Sequence, residues 1–326
     1  MAGVLGLRGR VDLGGFGNDP ALKKRFFDRL TKRFDVTILG RLQYYLGVNV
    51  QQRGHVLQLD QRKYIAELLE EFDVPPYPVT TPMRPKQPEP TTAPPPLPED
   101  DARVVRRMIG CLVCLAVMTR PDISHAVSVA SRRLHAPTME CKSMAIRIYQ
   151  YLRGAADHAL TYSQPSPDIL IHSDSSFDTF PQTHRSQTGV AVLMFGGAVA
   201  WMSARQHVVA PSSSEGEHVA QCSAAQLGLS ALQFVEDART PGLTPPPHLT
   251  IYADNQAAIK MAHEGADTTH TKHIERRLYF LRELVARGRL KFSYVPSALN
   301  YADGLTKPLA RYLHRQSLRR LLGLMW

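Results

Sequence analysis

Cysteine is scarce in this sequence, four in 326 residues, which is too few to staple a fold of this length with disulfides; the chain can instead bury two ordinary hydrophobic cores. No apolar run approaches the roughly 20 residues needed to cross a bilayer. The longest, MIGCLVCLAVM at 108–118, reads as a buried helix, and no membrane partner is expected. Nor does MAGVLGLRGRVDLGG at the start place a charged leader before a sustained apolar segment. The expected location is therefore intracellular and reducing, cytoplasmic or nuclear. Cys111 and Cys114 form a C-x-x-C, but no second pair or histidine stands at ligand spacing, which argues against a zinc framework. Cys141 and Cys222 sit in helix-like sequence and are expected in the core.

What the chain has in excess is positive charge, +10 in all with a pI near 9.6. Such a balance points to a polyanionic partner, and its distribution sharpens the point. Residues 101–160 carry 9 Lys and Arg against 4 Asp and Glu, and the tail RYLHRQSLRR adds four arginines with no acid. Proline is also concentrated: eleven of the 24 fall between 74 and 100, a stretch that cannot sustain a helix or a central strand. It is expected to be a linker.

Before the linker, PALKKRFFDRLTKRFDV and RKYIAELLEEFDV have the spacing of amphipathic helices, and LQYYLGVNVQQRGHVLQLDQ reads as two strands turning at Gly54. Together they predict an α+β fragment over 1–74. After it, ARVVRRMIGCLVCLAVMTR, PDISHAVSVASRRLHAP and MECKSMAIRIYQYLRG predict three helices over 101–160, the second opened by a proline in its first turn. From about 168 the texture becomes β-rich. DILIHSDSSF, GVAVLMFGG and AVAWMSARQHVVA predict three strands, followed by a long helix with serines for its N-cap. Strand HLTIYAD, two helices, strand LKFSYVP and a last helix starting near ADGLTK complete the order β-β-β-α-β-α-α-β-α. That order predicts an α/β domain over 168–310, a mixed sheet of five strands with flanking helices, and a basic tail over 311–326.

Four acids fall at the ends of these elements: Asp174 late in the first strand, Glu217 in the first turns of the long helix, Asp254 at the end of the fourth strand, Asp303 at the start of the last helix. Each alone has an ordinary explanation, as a turn residue or as a complement to a helix dipole. Gathered in one crevice they would repel unless cations intervened, and oxygen-only ligands suit Mg2+, with Mn2+ as the other fit. Two such ions roughly 3.5–4 Å apart are the usual device for hydrolysing a phosphodiester.

These blocks resemble, in order, the C-terminal part of copia-type long-terminal-repeat retrotransposon polyproteins, where the end of a reverse transcriptase leads into ribonuclease H. LQYYLGVNV, LDQRKYIAELLEEF, TPM and TRPDISHAVSVASRRLHAPT are similar to the late reverse-transcriptase and connection segments. HSDSSF, RSQTGV, AWMSARQHVVAPSSSEGEHVA, ADNQAAI, TKHIE and YVPSALNYADGLTKPL are similar to the ribonuclease H blocks. The resemblance implies a ribonuclease H-like domain that cleaves the RNA strand of RNA–DNA hybrids with two divalent ions held by Asp174, Glu217, Asp254 and Asp303. Glu215 is the rival to Glu217, and EHVA favours Glu217.

Where members of the family show a second acid and a tryptophan after the first strand acid, this chain has Ser176 and Phe177. Upstream, the paired aspartates of a polymerase are missing. Asp12 in VDLGGFGND could be a degraded remnant of that hairpin, so polymerase activity is not expected, and a complete reverse transcriptase acting in trans is a candidate partner. The alternative is an inactive remnant that binds nucleic acid. Candidate backbone contacts are Lys272 and His273, against the reading of a polar helix start, and Arg311, Arg315 and Arg319, against that of a solvated tail. Trp201 and Phe177 could stack on bases, but strand aromatics more often fill a core.

Overall fold

The structure, a computed structural model, describes residues 3–7, 11–15, 19–85, 95–164, 168–176, 185–210, 212–238, 244–264 and 272–324. The N-terminal part opens with strands β1 (Gly3–Leu7) and β2 (Val11–Gly15), helix α1 (Pro20–Thr31) and strand β3 (Val36–Arg41), the strands forming a sheet in the order β2-β1-β3. Asp19 caps α1 through its Oδ1, which accepts from the Ala21 and Leu22 amides, and Pro20 takes the first helical position. Then come β4 (Tyr44–Tyr45), β5 (Val48–Arg53) and β6 (Val56–Asp60), with Gly54 turning between the last two at φ +60°. Helix α2 (Arg62–Glu71) follows.

The proline-rich stretch begins by lying along a helix further on, α5: Arg153 donates to the Val74 carbonyl and Arg147 to the Thr81 hydroxyl. Next come α3 (Glu99–Met118), α4 (Ser124–Ala130) and α5 (Met139–Gly154). The expected single helix over PDISHAVSVASRRLHAP is α4 alone, flanked by tight turns at Pro121–Ile123 and Ser131–Arg133. Strand β7 (Leu160–Tyr162) joins β6, so that a four-stranded sheet runs β4-β5-β6-β7.

The rest of the chain builds the five-stranded sheet. Its elements are β8 (Leu170–Ser176), β9 (Gln187–Met194), β10 (Gly197–Arg205), α6 (Ser213–Ala238), β11 (Leu249–Ala253), α7 (Gln256–Glu264), α8 (Lys272–Ala286), β12 (Leu290–Tyr294) and α9 (Arg311–Leu322). Strand order is β10-β9-β8-β11-β12, with antiparallel pairs at β10/β9 and β9/β8 and parallel pairs at β8/β11 and β11/β12. The mixed α/β architecture is the one the sequence predicts. The last helix differs: ADGLTK forms a tight turn, Asp303–Leu305, and the helix starts at Arg311.

Two cores flank this sheet, and β9, buried at every residue, contributes to both. Ala191 and Leu193 join a cluster made largely by α2, α3, α4, α5 and α9, whereas Val190, Val192 and Met194 join α6, α8 and the strands on the other side. The alternation is the period of two of a strand. Arg120, fully buried, anchors the first core: it forms a two-pronged ion pair with Asp122, 2.9 and 2.7 Å, and donates to the Ala155 carbonyl. Tyr151 donates to Asp122 at 2.7 Å, and the His314 ring lies 3.0 Å from that phenol. Burial works against ionisation of Asp122, but the guanidinium and these bonds prevail and hold it near 2. The 311–322 segment is thus packed on its neighbours, with His314, Leu318, Leu321 and Leu322 buried.

Trp201 belongs to the same packing: it lies against the first core and its indole N–H donates to the Ala116 carbonyl at 2.7 Å. Cys141 and Cys222 are buried, as expected. Among the described residues no helix is long and apolar enough to cross a membrane.

Candidate metal centre

Asp174 stands two residues from the end of β8, paired across the ladder with Gly189 of β9. Gly189 has no room for a side chain: a Cβ there would lie 2.6 Å from Thr306 Cγ2 and 2.8 Å from the Ala302 carbonyl oxygen. This close approach brings the Asp303–Leu305 turn against the strand, and the Thr306 hydroxyl donates to Asp174 Oδ2. Asn300, buried, fixes the approach to the turn by donating to the Ser173 carbonyl at 2.8 Å.

Glu217 comes from the first turns of α6, which Ser212 caps by accepting the Glu215 amide. Gly216 allows the helix to sit close to Ser175, whose amide donates to Glu217 Oε1 at 3.1 Å. Gln206 ties the three pieces together, its amide nitrogen reaching Ser175, Thr188 and the Gly216 carbonyl. Asp254 follows the last residue of β11, and Asn255 then turns the chain into α7 by accepting the Ala258 amide. Ser297 donates to Asp254 Oδ2.

One carboxylate oxygen from each of Asp174, Glu217 and Asp254 lies within 4.8 Å of the others. Glu215 is also buried but is not in this group. Asp303 is not in the group either, but it lies near enough for its charge to act on Asp174, and it is ion-paired with Lys307, four residues on. Burial, helped by the neighbouring Asp303 and Asp254 charges, pushes Asp174 up to about 6. Burial and the charges of Asp174 and Asp254 push Glu217 up to about 9. Asp303 is raised by burial, with Lys307 opposing, and the Lys307 ammonium is held above its ordinary value by the acids although burial works against it.

The donors are oxygens only, and Glu217 Oε2 is buried without a hydrogen-bond partner. Both features fit a hard divalent cation.

Of the other candidates, Lys272 and His273 open α8, with side chains outside the described residues. Phe177 also lies outside them, and so does the Asp12 side chain, whose backbone is in β2. Arg311, Arg315 and Arg319 line a separate hollow of about 450 Å3 with Tyr151, His158 and Pro78, sharing no residue with the acids. Gln206, Asn300 and Lys307 carry no sequence signal of their own. Gln206 and Asn300 have partners up to 127 residues away, which only the folded chain reveals, whereas that of Lys307 is four residues off.

No family model matches the chain. It is 31% identical over 307 residues to a retrovirus-related Pol polyprotein from transposon TNT 1-94 of Nicotiana tabacum, covering 90% of this chain and 22% of that one. It is 33% identical over 299 residues to the corresponding polyprotein from transposon RE1 of Arabidopsis thaliana, covering 90% and 20%. The chain belongs to the copia-type retrotransposon Pol polyproteins. It spans about a fifth of the length of these curated Pol relatives. Among solved structures, ribonuclease H1 from Halobacterium salinarum matches with a TM-score of 0.30 and 19% identity, over 43% of this Pol segment and 94% of that chain.

Proposed function

We propose that this Pol segment is a divalent-metal-dependent ribonuclease H that hydrolyses the RNA strand of RNA–DNA hybrids. The observation that carries the proposal is the convergence of Asp174, Glu217 and Asp254, from three separate elements, within 4.8 Å. These three would hold the cations, with Asp303 completing the ring beside them. Mg2+ is the first expectation and Mn2+ the second. When bound, a pair of such ions supplies Lewis-acid stabilisation of the charge developing on the phosphoryl group.

The chain's own residues prepare the site. Thr306 and Ser297 aim Asp174 and Asp254 by donating to one oxygen of each, leaving the other for a ligand. Gln206 fixes the start of α6 against β8, so that Glu217 is held rigidly at the third corner. Lys307 balances Asp303 and sets a positive charge at the rim, where a phosphate would approach. A hybrid would be recognised by shape and 2′-hydroxyls rather than by base sequence.

The test compares the wild-type chain with Asp254→Asn on a labelled hybrid in Mg2+. We expect cleavage of the RNA strand by the wild type and a loss of at least about 1,000-fold in the variant, on the scale of removing a central electrostatic group. If both leave the RNA intact while retarding the hybrid on a gel, the protein is a binding remnant and the nuclease reading fails.

A further inference from the structure

Helix α9 is set into the first core by Leu318, Leu321 and Leu322 and by the His314 ring against the Tyr151 phenol. Arg320, half-buried, reaches instead to the loop over 296–303. Its Nη1 donates to the Ala298 carbonyl at 2.8 Å, and its guanidinium carbon lies 5.0 Å from the centre of the Tyr301 ring. That ring is stacked on the His172 imidazole, 4.2 Å away and 6° from parallel, which leaves its other face for the guanidinium. His172 is stacked in turn on Tyr252, its partner across the β8/β11 ladder. Four planar groups thus run from α9 to the sheet.

Both strand members of this stack stand two residues before an acid, His172 before Asp174 and Tyr252 before Asp254. Side chains two apart on a strand share a face, so the stack lies about 7 Å along the strands from the carboxylates. The loop reaches the same strands directly: Ser297 donates to Asp254, and Asn300 donates to the Ser173 carbonyl. Ala298 and Tyr301, the two points that Arg320 holds, fall between Ser297 and Asp303.

We propose that Arg320 is a positioning residue for the metal centre. It ties the loop of Ser297 and Asp303 to a helix rooted in the first core, so that Asp254 and Asp303 keep the spacing a divalent cation needs. The role rests on the reading of the acids as a cation site and is independent of what that site cleaves. Removing Arg320 has two effects of opposite sign. Loss of a positive charge on this side of the acids would by itself tighten cation binding. Loss of the tether frees Ser297 from Asp254 and weakens it.

The test titrates Mn2+ alone into the full chain and reads the free ion by electron paramagnetic resonance. Wild type is compared with Arg320→Ala, Arg320→Lys and Asp254→Asn, with melting temperatures in EDTA as the folding control. Arg320→Ala should bind about tenfold more weakly than wild type, the lower end of what outer partners of metal ligands contribute. Arg320→Lys, which keeps the charge and loses the planar stack, should fall between them. An affinity in Arg320→Ala equal to or above that of wild type overturns the proposal and leaves the cation site standing. If Asp254→Asn binds Mn2+ as wild type does, the cation site itself falls and the positioning role with it. Should Arg320→Ala be unfolded at the temperature of the titration, Arg320→Gln, which keeps most of the aliphatic stem, is judged by the same outcomes.

Discussion

Glu217 holds a proton that an exposed glutamate would have shed. Its carboxyl ionises near 4.5 in an unfolded chain, and burial with two acidic neighbours raises it to about 9 in the fold. Between those values the folded state binds more protons than the unfolded one, so the cation-free protein loses stability as pH rises through this window. Glu217→Gln removes the penalty. In EDTA at pH 8 the variant should melt above the wild type, and the difference should vanish near pH 4, where both side chains are neutral. Mg2+ should reverse the order at pH 8 by stabilising the wild type more than the variant. A melting curve in each condition decides it. Asp174, Glu217 and Asp254 were legible in the sequence because each acid stands where a β-run ends or a helix begins. Their mutual distance was not, since no local pattern encodes contacts between residues 43 and 37 positions apart. The same reason hid Gln206 and Asn300.

The elements of the sheet were legible where the β-rich run is long enough to show. β9 has eight residues, a continuous apolar run from Val190 to Met194, and its neighbours β8 and β10 have seven and nine; β7, with three, is too short to stand out. The last helix starts later than the sequence predicts, at Arg311. An acid and a glycine near 303 mimic a helix start, but Pro308 pushes Lys307 out of the helical region, so nothing beyond a tight turn can form before it. That turn is what presses on Gly189. Gly189→Ala would place a methyl group against the Ala302 carbonyl, a backbone atom that cannot rotate away. We expect it to destabilise the protein by about 1–3 kcal/mol and to displace Asp303 and Thr306. Hybrid cleavage should fall more than hybrid binding, which a paired activity and anisotropy measurement would show.

At the scale of the molecule, the connection helices, α9 and one face of the five-stranded sheet share a core, with the Arg120–Asp122 pair inside it. Arg120→Met would strand a buried carboxylate among apolar side chains and should cost about 3–5 kcal/mol, read as a lower denaturant midpoint. The change of texture, helical over 101–160 and richer in strands from 168, shows in the sequence. The shared core does not, because an apolar position in a sequence does not name its partner.

β9 lies between both cores and holds β8, the strand of Asp174, by its ladder. Amide protons from Val190 to Leu193 should accordingly be among the last to exchange with deuterium, at a rate set by global opening. The geometry of the acids would then persist through breathing of the periphery and disappear only when the sheet itself melts, in one sigmoid seen alike by every probe.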